Sequence, residues 1–141
     1  MVYYSRFGHN KQIVEYIKEK LSNKGHTVNV IESTQSDPKN LPNADVFVFS
    51  ASVEAFRIKK EMRHFMKKMD GVNGKKCALI NTHGMKKRNW LKSMEKMITK
   101  KNMQKMAEID FIIGEGQDKG EGLEKDWKKK LDGFIESIQN S

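Results

Sequence analysis

One cysteine, two prolines and no long apolar run set the first bounds on this 141-residue chain. A lone Cys77 excludes an intrachain disulfide and a cysteine metal cluster, and its place in an apolar stretch marks it as a small core residue. No segment approaches the roughly 20 apolar residues that a membrane-spanning helix needs. With no signal-peptide pattern ahead of the first apolar run, the expectation is a soluble, cytoplasmic protein. His9, His26, His64 and His83 fall in separate segments without ligand spacing or a joining carboxylate cluster, so no metal site is expected. Acidic residues are also short: 18 Asp and Glu against 27 Lys and Arg leave a formal charge of +9. Such a balance favours anionic partners. A basic nucleic-acid-binding module is the reading from another class. Against it, the aromatic residues fall mostly in core-patterned stripes and do not interleave with basic ones, as base stacking would require.

What is present is a regular alternation of strand and helix patterns. Strands are predicted at 2–4, 27–32, 45–50, 76–81 and 106–113, and helices at 10–24, 58–69, 88–100 and 122–139. Alternation of this kind makes parallel strands joined by right-handed helical crossovers. The runs at 45–50 and 77–80 are almost continuously apolar, as in a sheet covered on both faces. The fold class expected is therefore α/β, a three-layer, doubly wound, five-stranded parallel sheet, with residues 1–141 in a single domain. Leu123, Trp127, Leu131, Phe134, Ile135 and Ile138 form the clearest helical stripe. Met62, Met66, Met69, Met94 and Met97 recur at helical spacing and read as core filler. Two irregularities stand out. The crossover at 33–44 is short, holds Pro38 and Pro42, and lacks a helix pattern. The first strand is shorter than the usual five or so residues, so either the true start lies upstream or the domain tolerates a trimmed strand.

The first thirty residues carry the chemistry. Val2-Tyr3-Tyr4 breaks into Ser5-Arg6-Phe7-Gly8-His9-Asn10 and then into a helix with Ile13, Val14, Ile17 and Leu21 on one face. A strand, a tight loop and a helix N-terminus gather free backbone N–H groups and the positive end of a helix dipole, which suits a phosphate. Ser5 and Asn10 add side-chain donors, and Gly8 permits close backbone approach. Neither G-x-G-x-x-G after this strand nor G-x-x-x-x-G-K-[ST] occurs, so the cradle is of another type.

That loop, the helix after it and Lys24-Gly25-His26-Thr27-Val28 resemble the start of flavodoxin-like proteins. Ala44 to Ser52 resembles that family's third strand running into the loop beside the flavin ring. Lys76 to Gly84 resembles the fourth strand and the second ring loop. The resemblance implies strand order 2-1-3-4-5, for which flavodoxin is the usual illustration, with ligands at the carboxyl ends of the strands. It implies FMN as cofactor, its phosphate on Ser5, Arg6, Phe7, Gly8, His9 and Asn10. The ring would meet Ser52, Val53, Glu54, Ala55 and Phe56 on one side and Thr82, His83 and Gly84 on the other. Asn10 stands where the family usually has a threonine, and the nearby aromatics are Phe56 and Trp90.

The function so implied is electron transfer between redox partner proteins, with no catalytic acid or base. Within the same fold, a small flavin-dependent reductase of quinones or similar acceptors is the alternative, with His83 or His9 protonating product. Arg57, Lys59, Lys60 and Arg63, together with Lys86, Lys87 and Arg88, flank the two ring loops and would draw an acidic partner to the flavin edge. Glu54 faces either the ring or water. The glycines between 114 and 122 read as a mobile connection.

Overall fold

Why the chain folds as it does is clearest at its first helix. In the computed structural model, which describes residues 1–54, 56–84 and 89–140, helix α1 (His9–Asn23) buries Ile13, Val14, Ile17 and Leu21 along one stripe. It stops at Gly25, whose φ of 90° lets the chain turn left-handed while the N–H of His26 reaches back to the carbonyl of Leu21. Six strands and three further helices make up the rest of the frame. They are β1 (Val2–Tyr3), β2 (Ile31–Glu32), β3 (Val46–Glu54), a short β4 (Arg57–Ile58), α2 (Lys60–Lys68), β5 (Lys76–His83), α3 (Trp90–Lys100), β6 (Gln104–Ile112) and α4 (Trp127–Gln139). The sheet runs β2-β1-β3-β5-β6, all parallel, and β4 adds antiparallel to the end of β3. Without that appendage the order is the expected 2-1-3-4-5.

Each face of the sheet is closed by a helix pair. On one side Phe49, Leu79 and Cys77 pack under Met62, Phe65 and Met66 of α2 and Leu91, Met94 and Ile98 of α3. On the other, Val48, Ala78, Ile80 and Phe111 meet Ile13 and Ile17 of α1 and Leu131, Phe134 and Ile135 of α4. Successive residues of one strand serve opposite faces, as the period of two requires. Cys77 is the buried core residue expected, and Met62, Met66, Met69 and Met94 fill the α2–α3 side.

Three boundaries differ from the sequence reading. The strand predicted at 27–32 pairs only at Ile31 and Glu32, because β1 offers only Val2 and Tyr3 as partners. The strand predicted at 45–50 runs on to Glu54 and folds back, pairing Val53 with Ile58 and Glu54 with Arg57. The stretch beyond 50, expected to leave the sheet as a ring loop, thus continues as strand and pairs back on itself. The last helix begins at Trp127, five residues beyond the predicted start. Between β2 and β3 lies only a three-residue 3₁₀ turn, Ser33–Gln35, as the prolines suggested.

Candidate functional site

At the carboxyl ends of β1, β3 and β5 lies a cavity of about 220 Å3. Its floor is the N-terminus of α1. Gly8, at φ 96°, turns the chain into the helix; no side chain caps that end, and no acidic residue sits in its first turn. The first-turn N–H groups and the dipole therefore stay available to an anion. Ser5, Arg6, Phe7, His9 and Asn10 line this side. The Ser5 Oγ is buried and has no hydrogen-bond partner among the described residues. An orphan hydroxyl beside an uncapped helix end is a site short of an anionic acceptor.

Two residues predicted as phosphate contacts are already engaged. Asn10 donates its amide to Thr82 Oγ1 at 3.1 Å and accepts from Ser50 Oγ at 2.7 Å, a buried network that ties α1 to β5 and β3. His9 Nε2 sits 2.6 Å from the carbonyl of Glu121. Their side chains build the cradle's walls, and Ser5 with the backbone is left to face its contents.

The second wall is the end of β3, where Ser52, Val53 and Glu54 line the cavity. Glu54 takes an ion pair from Arg6 across the opening and another from Lys59 on its own hairpin. The bond from Lys59, aided by Arg6, holds its carboxyl below the usual range, so it is ionised at neutral pH. The guanidinium of Arg6 also lies 4.9 Å from the Phe7 ring centre. Phe56 does not line this cavity. Its turn, at φ 62°, holds the ring out toward a separate cleft beside α2 and α3, with 59% of the residue exposed. Trp90 is buried at the base of that cleft. Ala55, Lys86, Lys87 and Arg88 lie outside the described residues.

From β5, Thr82 lines the cavity, whereas His83, one residue on, belongs to the opposite face. Nε2 of His83 pairs with Asp110 at 2.8 Å, and its side chain is buried. Gly84, predicted as a ring contact, does not line the cavity, although a Cβ there would be 3.6 Å from the carboxamide oxygen of Gln117, which does. Gln117 and Ile113 line the cavity too, and the sequence reading had missed both. The 114–122 segment, read as a mobile connection, is instead fastened down. Gln12 donates to the carbonyl of Gly120 at 2.9 Å, and Gly114 and Gly122 bond across its neck at 2.8 Å. Its glycines at 116, 120 and 122 all have positive φ. The repeated Gly-Glu-Gly pattern was the available signal: closely spaced glycines mark tight backbone contact as readily as freedom.

A doubly wound sheet with an uncapped helix N-terminus at its switch point defines the class of open α/β proteins that take ligands at the carboxyl ends of their strands. The family model described as "flavodoxin domain" matches residues 1–119, and the chain belongs to that family of FMN-binding electron-transfer proteins. Solved structures agree on the fold. A flavodoxin from the domain Archaea superposes with a TM-score of 0.71 at 18% identity, covering 98% of this chain and 96% of its own. The Streptococcus pneumonia TIGR4 flavodoxin gives 0.76 at 18%, covering 99% and 95%. A flavo di-iron protein from Thermotoga maritima gives 0.72 at 17%, covering 99% of this chain, which spans 34% of that one. No curated protein sequence matches the chain.

Proposed function

We propose that the chain, as a single flavodoxin-like domain, holds FMN in the cavity at the α1 N-terminus and passes electrons between redox partner proteins. The observation that carries this is the buried Ser5 hydroxyl, without a hydrogen-bond partner among the described residues, beside a helix end with no side-chain cap and no acidic residue in its first turn. The donors there fit a phosphate: backbone N–H groups, a hydroxyl and the nearby Arg6. When bound, FMN would supply the redox chemistry, and the protein would orient and shield it. Arg6 and Lys59 pair with Glu54, and Lys59 with Glu61 as well, so charge at the cavity mouth is balanced and the pull on a bound anion would come from the α1 N-terminus. His83 would serve as a positioning group for the end of β5, since its ring nitrogen is bound to Asp110 and it stands off the cavity. The partner would be acidic, to complement the +9 charge, and the buried thiol of Cys77 suits a reducing compartment such as the cytoplasm. Titration of the protein with FMN and with FAD, followed by flavin fluorescence, tests the cofactor. Quenching by FMN, with FAD binding no better, is expected; tighter FAD binding, or no quenching by either, would overturn the reading.

A further inference from the structure

The β3–β4 hairpin that walls the cofactor cavity with Glu54 presents its other side to a second cleft, of about 220 Å3, between α2 and α3. Apolar surface lines its base: Ile58 and Trp90 are buried there, and Met97 is half-buried. Its rim is cationic, with Arg57, Arg63 and Lys67, and among the described residues no carboxylate lines it. Some cations near the sheet ends are paired: Arg6 and Lys59 with Glu54, Lys105 with Glu95 and Glu108, Lys130 with Glu124. Among the described residues the three rim cations have no such ion pair. Arg63 does donate one N–H to the carbonyl of Ile58 at 3.2 Å, which fixes its stem and leaves other donors of the fork free.

Phe56 completes the cleft. Phenylalanine rarely adopts a φ of 62°, a conformation that costs about 1 kcal/mol or more in a residue with a Cβ. Here it holds a large ring largely in solvent at the tip of the hairpin. A strained backbone that exposes an aromatic ring among unmatched cations, next to a cofactor wall, is unfavourable for the isolated chain and suits an interface.

We propose that this cleft is the docking point of the redox partner, taking an acidic surface segment of that protein with one apolar side chain against Phe56 and its carboxylates on Arg57, Arg63 and Lys67. The partner inference rests on the proposed electron-transfer reading and moves the docking face away from Lys59, whose charge Glu54 and Glu61 already meet. Charge complementarity would set the association rate, and the Phe56 contact would set how long the complex lasts.

An acidic b-type cytochrome and the basic cytochrome c serve as protein probes, and ferricyanide as a small-anion probe. Affinity for each ferric cytochrome is measured by calorimetry on flavin-free and FMN-loaded protein. Reduction of each oxidised probe by the reduced, FMN-loaded protein is then followed in stopped flow, one electron converting one ferric centre to ferrous. Arg57→Glu with Lys67→Glu should lower the affinity and association rate for the acidic cytochrome at least tenfold at low salt and remove most of the salt dependence. Lys125→Glu with Lys128→Glu on the far side of the molecule makes the same change in net charge and should alter either by less than threefold. Phe56→Asn, which keeps the backbone conformation comfortable, should speed dissociation several-fold with little effect on association. Equal losses from the two charge-reversed pairs would overturn the proposal, as would an equal loss with ferricyanide, which would make the cleft a small-anion site. If the flavin-free protein shows the cleft dependence and no FMN binds, the docking surface stands and the electron-transfer reading falls. If FMN binds and no cleft dependence appears, the reverse holds.

Discussion

Ser5 and Cys77 are both small and both buried at their reactive atom, yet they stand in opposite chemical situations. The Ser5 hydroxyl has no partner among the described residues and faces a cavity, so its lost hydration is recovered when something binds. Ser5→Ala should therefore weaken FMN binding by roughly tenfold or somewhat more, the scale of one hydrogen bond to a charged group, while leaving the melting temperature unchanged or raised. Ser5→Asp should abolish binding by setting a carboxylate against the phosphate. Fluorescence titration of the three proteins checks both. Cys77 lies wholly inside the sheet, and burial pushes its thiol from 9.0 up to about 12. The native thiol should resist alkylation at pH 8 and react on unfolding, which a labelling time course in rising denaturant would show. The linkage has a definite sign. A raised folded-state pKa means that the folded protein keeps its proton longer, so this contribution to stability is complete below pH 9 and is lost as the pH climbs toward 12. Denaturant midpoints measured across that range should fall.

At the scale of elements, the segment between β6 and α4 shows how a glycine-rich stretch becomes a wall. Gly120 lies so close to the loop at 5–10 that a Cβ would stand 2.8 Å from the Phe7 carbonyl oxygen, and its φ is 75°. Gly120→Val should push this segment off α1, loosen the contacts of His9 with Glu121 and of Gln12 with Gly120, and cut FMN affinity at least tenfold. Gly25→Ala provides the comparison. Its φ is 90°, so the backbone strain is similar, but no heavy atom lies within 4 Å of the added carbon. It should cost about 1–2 kcal/mol of stability without altering flavin affinity. Equal flavin affinity in the two variants would show that the segment has no part in the site. The same scale explains the misread hairpin. Val53 and Ile58 pair only because β3 continues past the rest of the sheet and turns back, a choice that the apolar run at 45–50 did not encode.

At the scale of the whole molecule, the positive charge and the sheet act together. The sheet's switch point puts the cavity at its carboxyl end, and the cationic cleft lies beside it across one hairpin. A carrier built this way should take electrons quickly from a reductase protein and slowly from nicotinamide cofactors alone, since the sequence has neither dinucleotide-loop motif beside the proposed phosphate cradle. Stopped-flow reduction of the FMN-loaded protein by each donor decides this. Rapid NAD(P)H-driven turnover of a quinone by the isolated protein would favour the reductase alternative.

The periodic pattern determined the layers by itself. A run of consecutive apolar residues such as 77–80 has to be covered on both faces, and stripes such as Ile13, Val14, Ile17 and Leu21 have to face the sheet, whatever else the chain does. Local loop chemistry likewise marked Ser5 to Asn10 as an anion cradle, because a strand, a glycine and a helix start are adjacent in sequence. Only the tertiary structure decided which of those groups stay free. Asn10 meets Thr82 across 72 residues and His9 meets Glu121 across 112, and such pairings depend on how distant elements dock. The same holds for Gln117 at the cavity, for His83 turned away from it toward Asp110, and for Phe56 exposed beside three unmatched cations. Hydrophobic periodicity is a property of neighbours along the chain, whereas hydrogen-bond satisfaction and charge pairing are settled only when residues far apart in sequence come within a few ångströms.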